Sequence, residues 1–291
     1  MRNAALLAFD LYRRLPFRAV LDAIVVRVLV RGVRLRRGLR RGEMFVHDAQ
    51  GLRMNIDIDQ RIDSRIYFTG TWEPETVETA RRLLPQGGVA IDVGANIGFV
   101  TLVMARLVGP TGRVIAFEPA DWTYARLQAN LALNAVPQVT TVQAGLSDTE
   151  ETCPPADIPV GYRLDGRVET RRQAIRLATL DAYLAQDPVT RVDFIKCDTD
   201  GFETRVVQGA MDTLRRFRPA IDLELYQGTP SDSREVAERL LRLLATLGYG
   251  FHRPGDLQAY AGIAAVLDAL PPGQRAANVV AIAAAGTTVP G

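Results

Sequence analysis

Residues 89–291 predict an α/β domain, a doubly wound, Rossmann-like parallel sheet of seven strands, and three observations predict it. Short apolar runs alternate with amphipathic stretches of helix length; the first run passes directly into the glycine-bearing turn Asp92–Gly98; the second ends on an acid, Glu118. Runs that are apolar throughout belong to strands buried on both faces, which need crossover helices above and below the sheet.

Before this domain the chain carries two further segments. Residues 1–42 form a basic arm in which Leu6, Leu7, Leu11, Leu15, Val20, Ile24, Val25, Val28 and Leu29 recur at helical spacing with arginines between them. Eleven arginines against Asp10 and Asp22 give this arm a net +9 and leave −7 for the rest of a chain whose total is +2. Such a helix either lies in an anionic membrane interface or packs on the body or on a second copy of the chain. Arg27 and Arg31 interrupt it, so it does not read as a cleavable leader. Its aromatic residues, Phe9, Tyr12 and Phe17, lie only at its start, and nucleic acid is not expected as a partner. Residues 43–88 read as a subdomain: strands Met44–His47 and Leu52–Ile58 flank the turn Asp48-Ala49-Gln50-Gly51, Asp59–Gly70 is a short helix or loop, and Trp72–Leu84 is an amphipathic helix closed by Pro85-Gln86-Gly87-Gly88.

Within residues 89–291 the strands fall at Val89–Val93, Arg113–Phe117, Val139–Gln143, Val192–Cys197, Ala220–Leu225, Tyr249–His252 and, closing the sheet late, Val279–Ala284. Helices occupy Ile97–Val108, Thr123–Asn134, Phe202–Phe217 and Ser233–Leu247. Residues 144–178 have no single period and form a loop or hairpin excursion; residues 254–277 are a second insertion. Long excursions from a compact domain commonly carry function.

Composition narrows the function classes. With 47% hydrophobic and 23% charged residues the chain is globular rather than disordered. Its apolar stretches, Ala23–Val26 and Val279–Ala285 among them, fall far short of the roughly 18–20 residues that cross a bilayer. Two cysteines, Cys153 in a proline-rich loop and Cys197 in a buried strand, suggest no disulfide framework and fit a reducing cytoplasm, with contact at the inner membrane face left to the arm. Two histidines without a cysteine cluster exclude the usual zinc arrangements.

The chemistry-bearing motif is Asp92-Val-Gly-Ala-Asn-Ile-Gly98. Gly94 and Gly98 let the backbone turn tightly beside a ligand, and the following helix presents free N–H groups. The dinucleotide pattern G-x-G-x-x-G is broken by Asn96 and Phe99, which speaks against a nicotinamide enzyme. Glu118, at the end of the second strand, is placed to accept the hydroxyls of a ribose. Glycine turn and ribose acid together indicate recognition of a nucleoside.

The chain resembles class I S-adenosylmethionine-dependent methyltransferases of the FkbM family. The resemblance rests on Val89-Ala-Ile-Asp-Val-Gly-Ala-Asn-Ile-Gly-Phe99, Ala116-Phe-Glu-Pro119, Leu127-Gln-Ala-Asn-Leu-Ala-Leu-Asn134, Gly145-Leu-Ser-Asp148, Thr179-Leu-Asp181, Phe194-Ile-Lys-Cys-Asp-Thr-Asp-Gly-Phe-Glu203 and Gln208-Gly-Ala210, in order over residues 60–230. It implies methyl transfer, often to a hydroxyl of a sugar, glycolipid or secondary metabolite. It further implies a donor bed of Asp92, Gly94, Asn96, Gly98 and Glu118, adenine contacts at Ser147 and Asp148, and Glu73 near the donor. The chain departs from the family at Asp200, where Glu is common.

The fourth strand brings Lys196, Asp198, Asp200 and Glu203 to the carboxyl edge of the sheet, the usual ligand edge. Lys196 and Asp198 share a strand face and can pair. Lys196 is the only lysine in the chain and is a candidate base or orienting charge. A hydroxyl needs its proton removed before it attacks; Asp198 is the first candidate, with Glu224 as partner. The two carboxylates could hold Mg²⁺, but with no third ligand in view a metal is not expected. His252 ends the sixth strand and is expected at a solvent-exposed edge; self-association is left open. The alternatives are N-methylation, which commonly uses Asn or Asp followed by Pro-Pro and an aromatic where this chain has Asp198-Thr-Asp-Gly201, and a non-catalytic nucleoside-binding module recruited to membranes by the arm.

Overall fold

A computed structural model describes residues 18–226, 233–270 and 276–284, with side chains described over 26–225, 234–270 and 277–284. The start of the arm, including Phe9, Tyr12 and Phe17, and part of the second insertion lie outside the described residues.

In chain order the N-terminal elements are α1 (Arg18–Arg37), the hairpin β1 (Phe45–Ala49) and β2 (Leu52–Ile56), α2 (Arg61–Thr69) and α3 (Pro74–Leu83). There follow β3 (Val89–Val93), α4 (Phe99–Val108), β4 (Arg113–Phe117), α5 (Asp121–Ala132) and β5 (Val139–Val142), then the excursion β6 (Gly145–Leu146), β7 (Glu151–Tyr162) and β8 (Val168–Ala178). The remainder is α6 (Leu180–Gln186), β9 (Phe194–Cys197), α7 (Glu203–Gln208), α8 (Met211–Phe217), β10 (Ala220–Tyr226), α9 (Ser233–Thr246), β11 (Tyr249–His252), α10 (Ile263–Ala269) and β12 (Ala276–Ala283).

The main sheet has seven strands in the order β11-β12-β10-β9-β3-β4-β5. Five pair in parallel, and β12 runs antiparallel to both β10 and β11. The expectation of a parallel sheet is corrected at this strand. Among the described residues α10 is the one helix between β11 and β12, and the chain turns back at the carboxyl edge instead of crossing the sheet, filling the gap between β10 and β11.

Alternate residues of each strand serve different cores. Ile91, Ile115, Ile195 and Ile221 pack with Leu184, Val206, Leu240 and Leu244 of the helices from α6 onward. Ala90, Val114 and Phe194 pack with Val77 and Ala80 of α3, Leu102 and Met104 of α4, and Met54 and Ile56 of the hairpin. Val30 of α1 is buried in this second core, and Arg27 Nε donates to the Leu164 carbonyl at 3.1 Å. The described part of the arm therefore packs on the body through one face.

The excursion at 144–178 is a long hairpin, β7 with β8, extended by β6. Its period is hidden in the sequence because register shifts interrupt the pairing at Cys153/Ala156 and Pro159/Gly161, next to prolines that cannot donate to a ladder. The single helix expected over Phe202–Phe217 is two helices. A Cβ on Gly209 would stand 1.9 Å from the Ser147 carbonyl oxygen, so the chain passes close against β6 at this point and breaks. Asp181 restarts it by accepting from Asp212 N at 3.0 Å, Thr213 N at 2.8 Å and the Thr213 hydroxyl at 2.6 Å, satisfying N–H groups that a new helix leaves free. Replacing this cap in Asp181→Ala should lower stability by about 1–2 kcal/mol, read as a lower denaturant midpoint at unchanged slope; an unchanged midpoint would show that the cap contributes nothing.

Candidate active site

The turn after β3 is built from backbone constraints. Gly94 has φ +77°, and its N–H and that of Ala95 donate to the Phe117 carbonyl at 3.0 and 2.9 Å, tying the turn to β4. A Cβ on Gly94 would lie 1.8 Å from the carbonyl oxygen of Asp198, so the ends of β3 and β9 meet at a spacing only glycine permits. Asn96 is exposed, takes φ +51° and accepts from Ile97 N at 2.8 Å through Oδ1. Gly98, with φ +88°, is the N-cap of α4 and abuts Leu127.

Glu118 accepts from Asn96 N and from Ala120 N, both at 2.9 Å, one on each carboxyl oxygen. Burial pushes its carboxyl up to about 7 against those two bonds. Two side chains expected around the donor, Asp92 in its bed and Ser147 at the adenine, lie beneath the surface. Asp92 is wholly buried and accepts from the Thr101 hydroxyl at 2.6 Å; Ser147 is wholly buried and its hydroxyl bonds Asp148 at 3.1 Å. They support the bed from below. Asp148 is exposed, and the Arg205 guanidinium, 2.6 Å away, holds its carboxyl below the usual range.

A charged row crosses the sheet next to this bed. In register, Lys196 of β9 stands between Asp92 of β3 and Asp222 of β10. Lys196 Nζ donates to the Gly94 carbonyl at 2.8 Å and lies 3.7 Å from Asp92 and 3.4 Å from Asp198. Burial pulls this ammonium toward the neutral form, and the charges of Asp198, Asp92 and Glu73 outweigh that pull, so its pKa is raised. Of the two roles the sequence allows for Lys196, its surroundings support the orienting charge.

Asp198 is half-buried just past the carboxyl end of β9, 3.4 Å from the Lys196 ammonium. Burial and the nearby Asp198 charge push the Glu224 carboxyl up to about 9. Asp200 is exposed with φ +53° at the tip of the following loop. Glu203 fastens that loop: its Oε1 accepts from Thr199 N at 3.0 Å, the Thr199 hydroxyl at 2.9 Å and Gly201 N at 3.1 Å. Glu73 has φ +45°, accepts from the indole of Trp72 at 2.7 Å, and is pushed up to about 7 by burial.

Asp222 was not legible as a site residue from its strand alone. The available signal is an acid at the centre of an apolar run, two positions before Glu224 and hence on the same face. It is buried, accepts from Asn278 Nδ2 at 3.2 Å, and is pushed up to about 6 by burial. His252 ends β11, the outermost strand of the sheet as expected, but is half-buried rather than solvent-exposed, with Nδ1 buried and without a hydrogen-bond partner. Among the described residues no group of three His, Cys, Asp or Glu side chains is arranged to hold a metal ion.

Glu73, Glu118, Asp222 and Glu224 keep their protons in the fold to higher pH than in the unfolded chain. The unfolded state therefore binds fewer protons over this interval, and stability falls as pH rises from about 5 to about 9. Thermal melts across that range should show the decline, with the portion above pH 7 reduced in Glu224→Gln. A melting temperature that rises with pH would contradict the burial of these acids.

Residues 92–251 match the family model described as the methyltransferase FkbM domain. Methyltransferase sdnD of Sordaria araneosa is 29% identical over 192 residues, 54% of this chain and 73% of that protein. The AMB antimetabolite synthetase AmbE of Pseudomonas aeruginosa is 28% identical over 207 residues, 57% of this chain but only 10% of that far longer protein. Among solved structures, a methyltransferase FkbM from Methylobacillus flagellatus aligns over 75% of this chain and 52% of its own, with 16% identity and a TM-score of 0.45. The seven-stranded sheet, the glycine turn bound to the acid of the second strand, and the family match over more than half of the chain lead to one conclusion: the chain belongs to the FkbM family of S-adenosylmethionine-dependent methyltransferases.

Proposed function

We propose that the chain methylates a hydroxyl of a sugar, glycolipid or secondary-metabolite acceptor, with Asp198 as the base. The observation that carries this reading is Asp198 itself. It is half-exposed at the ligand edge, steadied by the Lys196 ammonium at 3.4 Å, and its carbonyl lies against the glycine turn where the donor is expected.

The residues present fit the donor. Gly94 lets the ends of β3 and β9 close on each other beside the turn, and each Glu118 oxygen that accepts one backbone N–H keeps a further lone pair for a ribose hydroxyl. Gly98 and the exposed Asn96 border the same turn, Ser147 and Asp148 form the turn after the third strand where adenine would rest, and Glu73 adds its carboxyl beside Lys196. S-adenosylmethionine, when bound, supplies a methyl group on a cationic sulfur. Asp198 accepts the proton of the acceptor hydroxyl as the new C–O bond forms. Lys196 remains an ammonium throughout and fixes the carboxylate, while Glu224 and Asp200 shape the field around it. Holding the two reactants in line accounts for much of the rate. No step requires a metal. The name of the antimetabolite synthetase supports a secondary-metabolite acceptor, and Asp198-Thr-Asp-Gly201 does not favour transfer to nitrogen.

The arm adds a location. Opposite the buried Val30, Val28 (65% exposed) and Leu35 (75%) form an open apolar strip on α1 between the exposed Arg31 and Arg36, with Leu29 (48%) beyond Arg36. No helix among the described residues is long and apolar enough to cross a membrane. An apolar strip edged with arginines suits the interface of an anionic leaflet, and the two free cysteines suit its cytoplasmic side.

In Asp198→Ala, calorimetry should show S-adenosylhomocysteine bound within a few-fold of the parent while turnover falls ~10²–10⁴-fold; parallel loss of both would assign Asp198 to structure or donor binding. The pair Val28→Glu and Leu35→Glu should reduce co-sedimentation with phosphatidylserine vesicles. Unchanged sedimentation would remove the membrane reading.

A further inference from the structure

The β7–β8 hairpin has two unlike faces. β8 carries no bulge of its own, so its side chains alternate strictly between them. One face is turned to the body: Glu169 accepts from Gln60, Arg171 lies over the Trp122 ring, and Gln173 bonds Asp121 N and the Pro119 carbonyl. On the other, Val168, Thr170, Arg172, Ala174 and Arg176 are all exposed, with Tyr162 across from Val168 and Pro159 across from Thr170.

This outer face is graded along its length. Its apolar end is the tip, where Val168 is 49% and Tyr162 37% exposed. Its cationic part begins at Arg172, about 13 Å further along the strand, and continues with Arg176. Asp157 stands across from Arg172, yet among the described residues neither arginine has an ion pair. The tip also adjoins α1. Arg27 Nε donates to the Leu164 carbonyl at 3.1 Å, Arg41 pairs with Asp165, and Arg27 lies on the flank of α1 between the buried Val30 and the exposed Arg31. Helix and tip therefore lie side by side on the body, each with an apolar patch on its uncovered side.

We propose that the outer face of the β7–β8 hairpin is a second contact with an anionic lipid leaflet, with Tyr162 and Val168 at the acyl boundary and Arg172 and Arg176 on the headgroup phosphates. The inference deepens the location proposed for α1 and rests on the same leaflet. Charge and its order along the strand choose the occupant. An apolar tip followed by unpaired arginines matches a leaflet read from the inside outward, hydrocarbon first and anionic headgroups above it. Arginine stems lie along apolar surface and carry the guanidinium to that level. A strand of another protein is disfavoured at the free edge, because Pro154, Pro155 and Pro159 of β7 have no N–H to give. A second copy seated face to face about a two-fold axis would crowd the unpaired arginines of both copies together. Nucleic acid would meet a single aromatic ring on this face, Tyr162, and no row of rings on which to stack its bases.

The test is co-sedimentation of the full chain with vesicles of phosphatidylcholine, alone or mixed with phosphatidylserine. It compares the parent with Val168→Glu, with the double variant Arg172→Gln/Arg176→Gln, and with the arm pair Val28→Glu/Leu35→Glu. The inference expects the parent to prefer the mixed vesicles, and both hairpin variants to bind them roughly fivefold or more weakly with melting temperature and S-adenosylhomocysteine affinity unchanged. It is overturned if the hairpin variants bind like the parent; loss confined to the arm pair then leaves α1 as the membrane contact. Loss in the hairpin variants with binding kept in the arm pair would uphold the hairpin contact and retire that of α1. A parent that binds neither vesicle, or both alike, would overturn the two together. A parent that ignores vesicles but forms a dimer in light scattering, abolished by Val168→Glu, would assign the face to a second copy instead.

Discussion

One buried ammonium organises the ligand edge of this protein. Lys196 sits at the meeting of β3, β9 and the turn between β3 and α4, bonded to the Gly94 carbonyl and facing Asp92 and Asp198. Burying a charge is costly unless its partners are close and well directed, and removing one member of such a group leaves the others uncompensated. Asp92, Asp198, Asp222 and Glu73 all lie within its field. Without this cation Asp92 and Asp198 would stand uncompensated at the strand ends whose spacing the glycine turn depends on.

That spacing is set by backbone meeting backbone. Gly94 against the Asp198 carbonyl and Gly209 against the Ser147 carbonyl are two contacts that a methyl group would abolish. They stand on either side of the loop 198–201, which Glu203 fixes from within through three hydrogen bonds. The catalytic candidate Asp198 is thus carried on a segment held by its neighbours' main chain, a rigid mounting of the kind that positional catalysis needs.

The arm and the β7–β8 hairpin are joined through charge. Arg163, near the hairpin tip and largely buried, faces Asp57 at 3.6 Å, Asp59 at 3.4 Å and Glu169 at 2.7 Å, and Gln60 Nε2 bonds Glu169 at 2.7 Å. Arg34 of α1 reaches the same Asp59 at 3.5 Å, and Arg41 pairs with Asp165 at the tip itself. Midway along β8, Gln173 ties the hairpin to the ligand edge by bonding Asp121 N and the Pro119 carbonyl just beyond Glu118. The exposed strip of α1 is therefore oriented relative to the site by a continuous set of contacts.

Much of this was legible in the chain itself. The apolar runs of β3, β4, β9 and β10, the helices between them, the glycine turn and the acid at Glu118 are local signals: each depends on the period or backbone demand of a few consecutive residues. What stayed illegible depends on partners far away in sequence. The reversed β12 reflects which gap in the sheet remained open. The break at Gly209 comes from Ser147, sixty-two positions earlier, and the role of Asp222 appears only when Lys196 and Asn278 stand on either side of it. Likewise the sequence determined that Lys196 and Asp198 share a strand face, but the surroundings that favour a fixed charge over a base at this lysine exist only in the tertiary structure, because a pKa follows from burial and from charges brought close in space, and neither is a property of residues adjacent along the chain.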